Sequence, residues 1–227
     1  MMKRYEYIIN KQLYDLARQA IRDKRDILQL LSYTVKSIIE QEIEKESGHS
    51  IRPDEDRKLI VYIDKMNRLF YCIEDKYFSF QNPYSFTVDE EGKLEINYKG
   101  ILEINSYISS IMISIFKDKD IFCGSIDEVY DRIDSVIINN YESNDDDKDK
   151  IMEMIIDLMI FEPGYIRFDD DNEPGRVDPV MHPRYHYDVN YESTSTYKIG
   201  LSNCISSEEL INLLDINKPC KFICSKG

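Results

Sequence analysis

The chain has 227 residues, of which 42% are hydrophobic and 32% are charged, so it is long enough to bury a sizeable core. Its formal net charge of −14 disfavours direct binding to nucleic acid or to an anionic membrane. No stretch approaches the roughly 18 consecutive apolar residues of a membrane span, and the charged N-terminus lacks the apolar segment of a secretory signal, which predicts a cytoplasmic protein without a membrane segment.

The first predicted region, at about 8–47, is helical. Apolar residues recur there at three- and four-residue steps, which is typical of one face of an amphipathic helix. The pattern is interrupted near 22–26, so we expect two helices. A long amphipathic helix of this kind either covers the protein's own sheet or offers its apolar face to a partner protein.

The periodicity changes at about 58. Short segments rich in β-branched and aromatic residues follow one another as far as about 98, separated by polar turns such as Glu74-Asp75 and Glu90-Glu91-Gly92. Segments of this kind joined by short turns are typical of β-hairpins. The sequence therefore predicts one antiparallel meander over 58–98.

Three helices are predicted over 101–161. The first, which starts at residue 101, is apolar on most sides and is expected to be buried. The second has Ser125 followed three residues later by Glu128, the pattern of a capping box at a helix N-terminus. The third, 144–161, begins with a run of aspartates, which the positive end of the helix dipole stabilises.

The C-terminal region, 164–227, is predicted to return to strands and to end in a helix that begins at Ser206 or Ser207. Strands and helices are grouped in blocks along the chain, without the regular alternation of a parallel β/α protein. The predicted fold class is therefore α+β, an antiparallel sheet with N-terminal helices and a helical insertion. We expect residues 1–227 to form a single domain.

The segment HPRYHYDVNY, residues 182–191, contains two of the three histidines. Side chains alternate between the two faces of a strand. One face would then carry rings and aliphatic groups, and the other would carry the polar set His182, Arg184, His186, Asp188 and Asn190. The preceding strand repeats this division, with Arg167 and Asp169 on its polar face. Antiparallel pairing of the two strands would gather both polar sets on one surface.

Two interpretations of this polar surface do not involve proton transfer. In the first, it is a solvated sheet face on which arginines and aspartates form salt bridges. In the second, His182 and His186 bind a divalent metal such as Zn, Mn or Fe, together with Asp169 or Asp188. The strand pattern is less diagnostic of a metal than two histidines four residues apart on a helix, so both interpretations stay open.

A third interpretation is acid–base chemistry. Histidine changes charge near neutral pH, so His186 would carry a proton while Asp188 orients its ring. Arg184 or Arg167 would then hold a negatively charged oxygen. The sequence has no glycine-rich phosphate loop, no GxSxG and no HExxH motif, so the catalytic candidates are these four residues and not a complete motif.

A series of short motifs lies between about 165 and 215. In order, they are Arg167-Phe168-Asp169, an acidic loop, His182-Pro183 with His186 shortly after it, a short apolar strand and a serine-rich helix start. This order resembles a bacterial family catalogued as domain-of-unknown-function family 2290. The resemblance implies that His182 and His186 are family positions, with Arg167 and Asp169 behind them. Because members are similar to genes of mobile and anti-phage defence islands, it implies a defence context by association.

Two functions are therefore expected. The first is an accessory or regulatory subunit of an anti-phage defence or mobile-element system that acts through a protein partner. The long N-terminal amphipathic helix and the lack of a complete catalytic motif favour it. The alternative is a metal-dependent hydrolase or nuclease that uses the histidine-rich strand 182–190. An enzyme would need the polar face of that strand to lie in a concave pocket.

Overall fold

The computed structural model describes residues 3–47, 57–63, 66–88, 92, 94–140 and 145–222. The strands are β1 Lys3–Ile8, β2 Arg57–Ile63, β3 Arg68–Ile73, β4 Lys76–Gln81, β5 Ser85–Val88, β6 Leu94–Tyr98, β7 Leu102–Glu103, β8 Ile166–Asp170, β9 Tyr185–Val189 and β10 Tyr197–Gly200. The helices are α1 Lys11–Ala17, α2 Lys24–Glu46, α3 Ser106–Lys117, α4 Ile126–Asn140, α5 Asp145–Ile160 and α6 Ser207–Leu214. Among the described residues, no helix combines the length and the apolar character needed to cross a bilayer.

The main sheet has seven strands in the order β1-β2-β3-β4-β8-β9-β10, and each neighbouring pair is antiparallel. Strands β4 and β8 are neighbours although residues 82–165 separate them in sequence. That insertion contains helices α3, α4 and α5 and a smaller sheet of order β5-β6-β7. The predicted α+β class, with N-terminal helices and a helical insertion, is confirmed.

Helix α2 covers one face of the main sheet. Asp23 caps its N-terminus by accepting a hydrogen bond from the Asp26 amide at 2.9 Å. The Thr34 hydroxyl lies 2.7 Å from the Tyr71 hydroxyl of β3, and buried apolar residues of the helix share one core with β2, β3, β4 and α3. Most apolar side chains of α2 therefore pack inside the protein. This helix no longer supports the prediction of a partner-binding surface.

The opposite face of the main sheet is covered by α6. A second apolar cluster joins this helix to the central strands, and its members are Ile60, Tyr62, Phe70, Cys72, Phe168, Tyr187, Leu210 and Ile211. The helix begins with a capping box in which the Ser206 amide donates to Glu209 at 2.8 Å and the Glu209 amide donates to Ser206 at 3.3 Å. The strands that carry the histidine segment are therefore covered by apolar packing on the α6 side.

Three predicted boundaries are wrong. The prediction missed β1, whose short alternating run leads directly into the helical pattern without a turn signal. The meander 58–98 is divided between two sheets, because Pro83 has no amide proton with which to continue the ladder after β4. The helix predicted from 101 begins at Ser106, where the Asn105 side chain accepts hydrogen bonds from two amides.

Other local predictions are confirmed. Glu74-Asp75 forms the turn between β3 and β4. The Ser125 amide donates to Glu128 at 2.8 Å and the Glu128 amide donates to Ser125 at 3.3 Å, which completes the predicted capping box of α4. Helix α3 is largely buried, as its apolar composition predicts. The predicted turn at 90–92 lies mostly outside the described residues.

Candidate functional site

Three adjacent strands, β8, β9 and β10, bring the polar side chains together. The predicted antiparallel pairing of the first two is confirmed, with Arg167 opposite Asp188 and Asp169 opposite His186. Strand β10 then places Lys198 opposite Asp188. Because opposite residues of antiparallel strands project from the same face, all five side chains lie on the face of the main sheet that α2 covers farther along.

His186 has a fixed orientation and a fixed tautomer. Its side chain is fully buried, and its Nδ1 lies 2.7 Å from the Pro183 carbonyl oxygen. A carbonyl oxygen can only accept, so Nδ1 donates and Nε2 keeps its lone pair. Burial, followed by the positive charge of Lys198, lowers the pKa of His186 below its ordinary value. The ring is therefore a neutral donor of one lone pair near pH 7.

The buried carboxylate of Asp188 and the partly buried carboxylate of Asp169 share Arg167. The Arg167 Nε lies 2.8 Å from Asp169 Oδ2, and the same guanidinium also contacts Asp188 Oδ2. Asp169 Oδ2 is 3.6 Å from His186 Nε2, and Asp188 Oδ1 is 3.7 Å from the same nitrogen. The interpretation of this face as solvated is wrong at His186 and Asp188, since both side chains are buried.

Lys198 completes the cluster and is not among the residues predicted from the sequence. Its Nζ lies 2.8 Å from His186 Nε2 and 2.5 Å from Asp188 Oδ1, and its side chain is 29% exposed. A signal for it exists in the sequence, because Lys198 alternates with Tyr197 and Ile199 in the next predicted strand. Antiparallel pairing of that strand with the histidine strand would have placed the ammonium group beside Asp188.

The sequence predicted His182 as a metal ligand beside His186, but the structure does not place it with the other donor atoms. Its ring centre lies 4.8 Å from that of His186, but its Nε2 lies 3.0 Å from Asp171 Oδ2. The three donor atoms that lie within 4.8 Å of one another belong to Asp169, His186 and Asp188. The physical reason is that His182 precedes β9 in an isolated bridge with Asp178, where strand alternation does not hold.

The predicted catalytic role of Arg184 is also not supported by its position. Its Nε lies 2.6 Å from Asp170 Oδ1, and its guanidinium lies over the Tyr185 ring, because the residue comes just before β9 begins. Asp188 does not orient the His186 ring as expected, since the Pro183 carbonyl binds Nδ1. Of the predicted acid–base set, the structure brings together His186, Asp188 and Arg167.

A cleft of about 470 Å³ opens beside the cluster. Its lining comes from the α1–α2 loop, the β3–β4 turn, β8 and the loop after β8, and consists of Arg18, Ala20, Ile73, Asp75, Lys76, Arg167, Asp169, Asp170, Asp171, Asn172, Glu173 and Arg176. Burial, followed by the charge of Arg167, lowers the pKa of Lys76 to about 8. Arg167 and Asp169 belong to both the cleft and the cluster, so the cleft reaches the cluster at these two side chains, whereas His186, Asp188 and Lys198 are not among the lining residues.

The Tyr165 hydroxyl lies on the same sheet face, two residues before Arg167. The Tyr165 ring packs against Phe78 and Tyr191. Its hydroxyl is buried and makes no hydrogen bond of good geometry among the described residues. Burial raises the pKa of Tyr165, and the nearby Arg167 guanidinium opposes that rise. A buried polar atom of this kind is uncommon in folded proteins and is compatible with a polar ligand or water nearby.

Comparisons with protein-family models, with curated proteins and with solved structures find no match to this chain. The resemblance to family 2290 therefore stays a prediction. Functional inference rests on the chemistry of the cluster around His186.

The donor set fits a divalent cation. Two ligands that each lie about 2.1 Å from a tetrahedral ion are about 3.4 Å apart. The observed separations of 3.6 and 3.7 Å between His186 Nε2 and the two carboxylate oxygens are close to that value. Histidines that bind metals usually donate their other ring N–H to a carbonyl or carboxylate, as His186 does to Pro183. One imidazole and two carboxylates suit Zn, Mn or Fe.

Proposed function

We propose that this chain is a metal-dependent hydrolase that holds a divalent cation with Asp169, His186 and Asp188 and acts on an anionic ester. The observation that carries the proposal is the convergence of three donor atoms within 4.8 Å, one of them a histidine nitrogen whose tautomer presents a lone pair, which in this structure accepts from Lys198. Three protein ligands leave coordination positions for water and substrate, as in catalytic metal sites.

The other residues of the site have distinct roles in this proposal. A bound cation would polarise the ester and lower the pKa of a bound water. Arg167 holds both carboxylates in place and presents positive charge at the cleft. Arg18, Lys76 and Arg176 add further cations to the cleft wall, which also contains the carboxylates of Asp75, Asp170, Asp171 and Glu173. A small phosphate ester fits this wall better than a long nucleic acid does, since the whole chain carries a net charge of −14.

Titration with a divalent metal tests the proposed ligands. Chelator-treated protein is titrated with MnCl₂ and ZnCl₂ by calorimetry, and we expect one ion per chain. Asp169→Asn should weaken binding by about 100-fold, the upper end of the loss for residues that only support a ligand, because Asp169 is proposed as a direct ligand. Asp170→Asn is the matched control, because Asp170 is the next residue on the same strand and pairs with Arg184 instead.

Hydrolysis of bis(p-nitrophenyl) phosphate and of p-nitrophenyl phosphate, followed by absorbance, should require the same ion and should fall with Asp169→Asn. Absence of metal binding by the unaltered chain would remove the proposal. Metal binding without hydrolysis of either ester would leave the ion site and contradict the assigned substrate class.

A second function is favoured by the surface of α4, that of an accessory or regulatory subunit acting through a protein partner. Ile126, Tyr130, Ile133 and Ile137 follow one helical stripe. The last two are buried, whereas Ile126 is 87% and Tyr130 48% exposed. The acidic residues of this helix are Asp127, Glu128, Asp131 and Asp134. The stripe would suit a basic amphipathic helix of a cytoplasmic partner, and the resemblance to family 2290 supports a bacterial defence or mobile-element context.

The partner proposal is tested with a fluorescent Leu/Lys amphipathic peptide and a scrambled peptide of the same composition, by anisotropy. Ile126→Asp should weaken binding of the amphipathic peptide by about tenfold or more, as expected for an apolar anchor. Ile216→Asp is the control, since Ile216 is similarly exposed outside α4. Equal binding of the two peptides, or equal loss in the two variants, would contradict a docking site on α4.

A further inference from the structure

The Lys198 ammonium lies among the atoms that would hold the cation. Its Nζ is 2.8 Å from His186 Nε2 and 2.5 Å from Asp188 Oδ1, so it already uses two of the three donor atoms. An ammonium group and a divalent cation cannot both use His186 Nε2, because that nitrogen has a single lone pair, and two positive groups at this short distance repel each other. Lys198 and a metal therefore exclude each other.

We propose that Lys198 is a built-in competitor that occupies the cation position when no ion is bound and is displaced into water when a divalent cation binds. This inference rests on the proposed metal-dependent function. Lys198 is suited to such an exchange, because its side chain is 29% exposed and comes from β10, at the edge of the main sheet. A flexible four-carbon stem allows the ammonium to leave without movement of the strand.

Exchange of the Lys198 ammonium for a divalent cation changes the net charge of the cluster. With Lys198 in place, the ammonium and the Arg167 guanidinium balance the two aspartates, and His186 is neutral because Nδ1 donates to the Pro183 carbonyl while Nε2 accepts from Lys198. Replacement of the ammonium by a divalent ion leaves one excess positive charge at the wall of the cleft. An anion entering the cleft would balance that charge, so the metal-bound form should favour an anionic ligand over a neutral one.

The competitor also explains how the donor atoms stay together without an ion. Two carboxylates and a histidine nitrogen converge on one point, and two like charges buried together destabilise a fold. Arg167 contacts both carboxylates from one side, and Lys198 contacts Asp188 and His186 from the other. Lys198 therefore positions the ligands at a cost in metal affinity.

Calorimetry with MnCl₂ on the full chain tests the competition. Lys198→Met removes the ammonium and keeps a side chain of similar length, and Lys198→Gln is a second variant that retains a hydrogen-bond donor should the first be poorly folded. Both should bind Mn²⁺ about ten- to hundredfold more tightly than the unaltered chain, since binding no longer breaks hydrogen bonds to charged groups. Lys99→Met is the matched control, because Lys99 Nζ lies at the same 2.5 Å from a carboxylate, that of Asp157, elsewhere on the surface.

A second measurement follows Lys198 directly. Acetylation of the unaltered chain by an N-hydroxysuccinimide ester, mapped by mass spectrometry, should label Lys198 faster with Mn²⁺ than without it, while the labelling of Lys99 stays constant. Equal Mn²⁺ affinity in the unaltered chain and both Lys198 variants, or slower labelling of Lys198 with metal, would overturn the competition and leave the proposed function standing. No binding by the unaltered chain or by either variant would remove both.

Discussion

Replacing Phe78 with alanine is expected to lower the free energy of unfolding by about 3–5 kcal/mol, the range for deletion of a fully buried aromatic side chain. The Phe78 ring is completely buried in β4. It stacks on Tyr71 with ring centres 4.5 Å apart and packs against Tyr165 at 5.9 Å. Removal of the ring leaves a cavity that the flat, paired strands around it cannot close.

Phe78 also supports the candidate site. It lies opposite Arg167 in the pairing of β4 with β8, and its neighbour Tyr165 projects from the same face as Arg167. Loss of the ring therefore removes packing directly beside the strand that carries Arg167 and Asp169. We expect Phe78→Ala to lower the free energy of unfolding. A shift of β8 in this variant would also weaken the proposed metal site.

Urea unfolding followed by circular dichroism measures this effect. Phe222→Ala is the matched control, since the same atoms are removed from a ring that is 86% exposed, and a change within about 0.5 kcal/mol is expected there. Similar losses in free energy of unfolding for Phe78→Ala and Phe222→Ala would contradict the burial of Phe78 in the core between the main sheet and α2.

The fold was largely predictable because most of its elements carry strong local signals. Helix α6 begins at a capping box, and α4 begins at another, so both starts could be located from sequence. The pairing of β4 with β8 could not be located, since the two strands lie on either side of an 82–165 insertion and no local pattern connects them. Strand β1 lies at the edge of the main sheet and, among the described strands, pairs with β2 alone, so its formation depends on a partner that is distant in sequence.

The site could be predicted where strand alternation holds and not beyond it. His186 and Asp188 lie inside β9, and Arg167 and Asp169 lie inside β8, so alternation and antiparallel pairing place all four together. His182 precedes β9 and bonds elsewhere. Burial was missed for a different reason. Charged residues that alternate with aromatic ones are typical of a solvated face, and His186 and Asp188 are buried by contacts with Pro183, Arg167 and Lys198 that a local pattern does not show.

Arg167→Met should lower the free energy of unfolding by about 3–5 kcal/mol, as expected when one partner of a buried ion pair is removed. Arg167 contacts the carboxylates of Asp169 and Asp188, and all three side chains are mostly buried. Methionine keeps most of the apolar stem, so the loss reports the charge and its hydrogen bonds more than the packing. Lys198 still contacts Asp188, whereas Asp169 loses its arginine partner.

Arg184→Met is the matched control for this effect. Arg184 forms an equally direct pair with Asp170, but its side chain is far more exposed, and loss of an exposed pair costs about 0–1 kcal/mol. Addition of Asp169→Asn to Arg167→Met should recover part of the lost stability, because the cost comes from an unpartnered buried carboxylate. Urea unfolding at pH 7 measures these differences for the unaltered chain, Arg167→Met, Arg184→Met and the double variant. If Asp169→Asn does not reduce the loss in free energy of unfolding, Arg167 stabilises the fold by packing and not through its ion pair with Asp169.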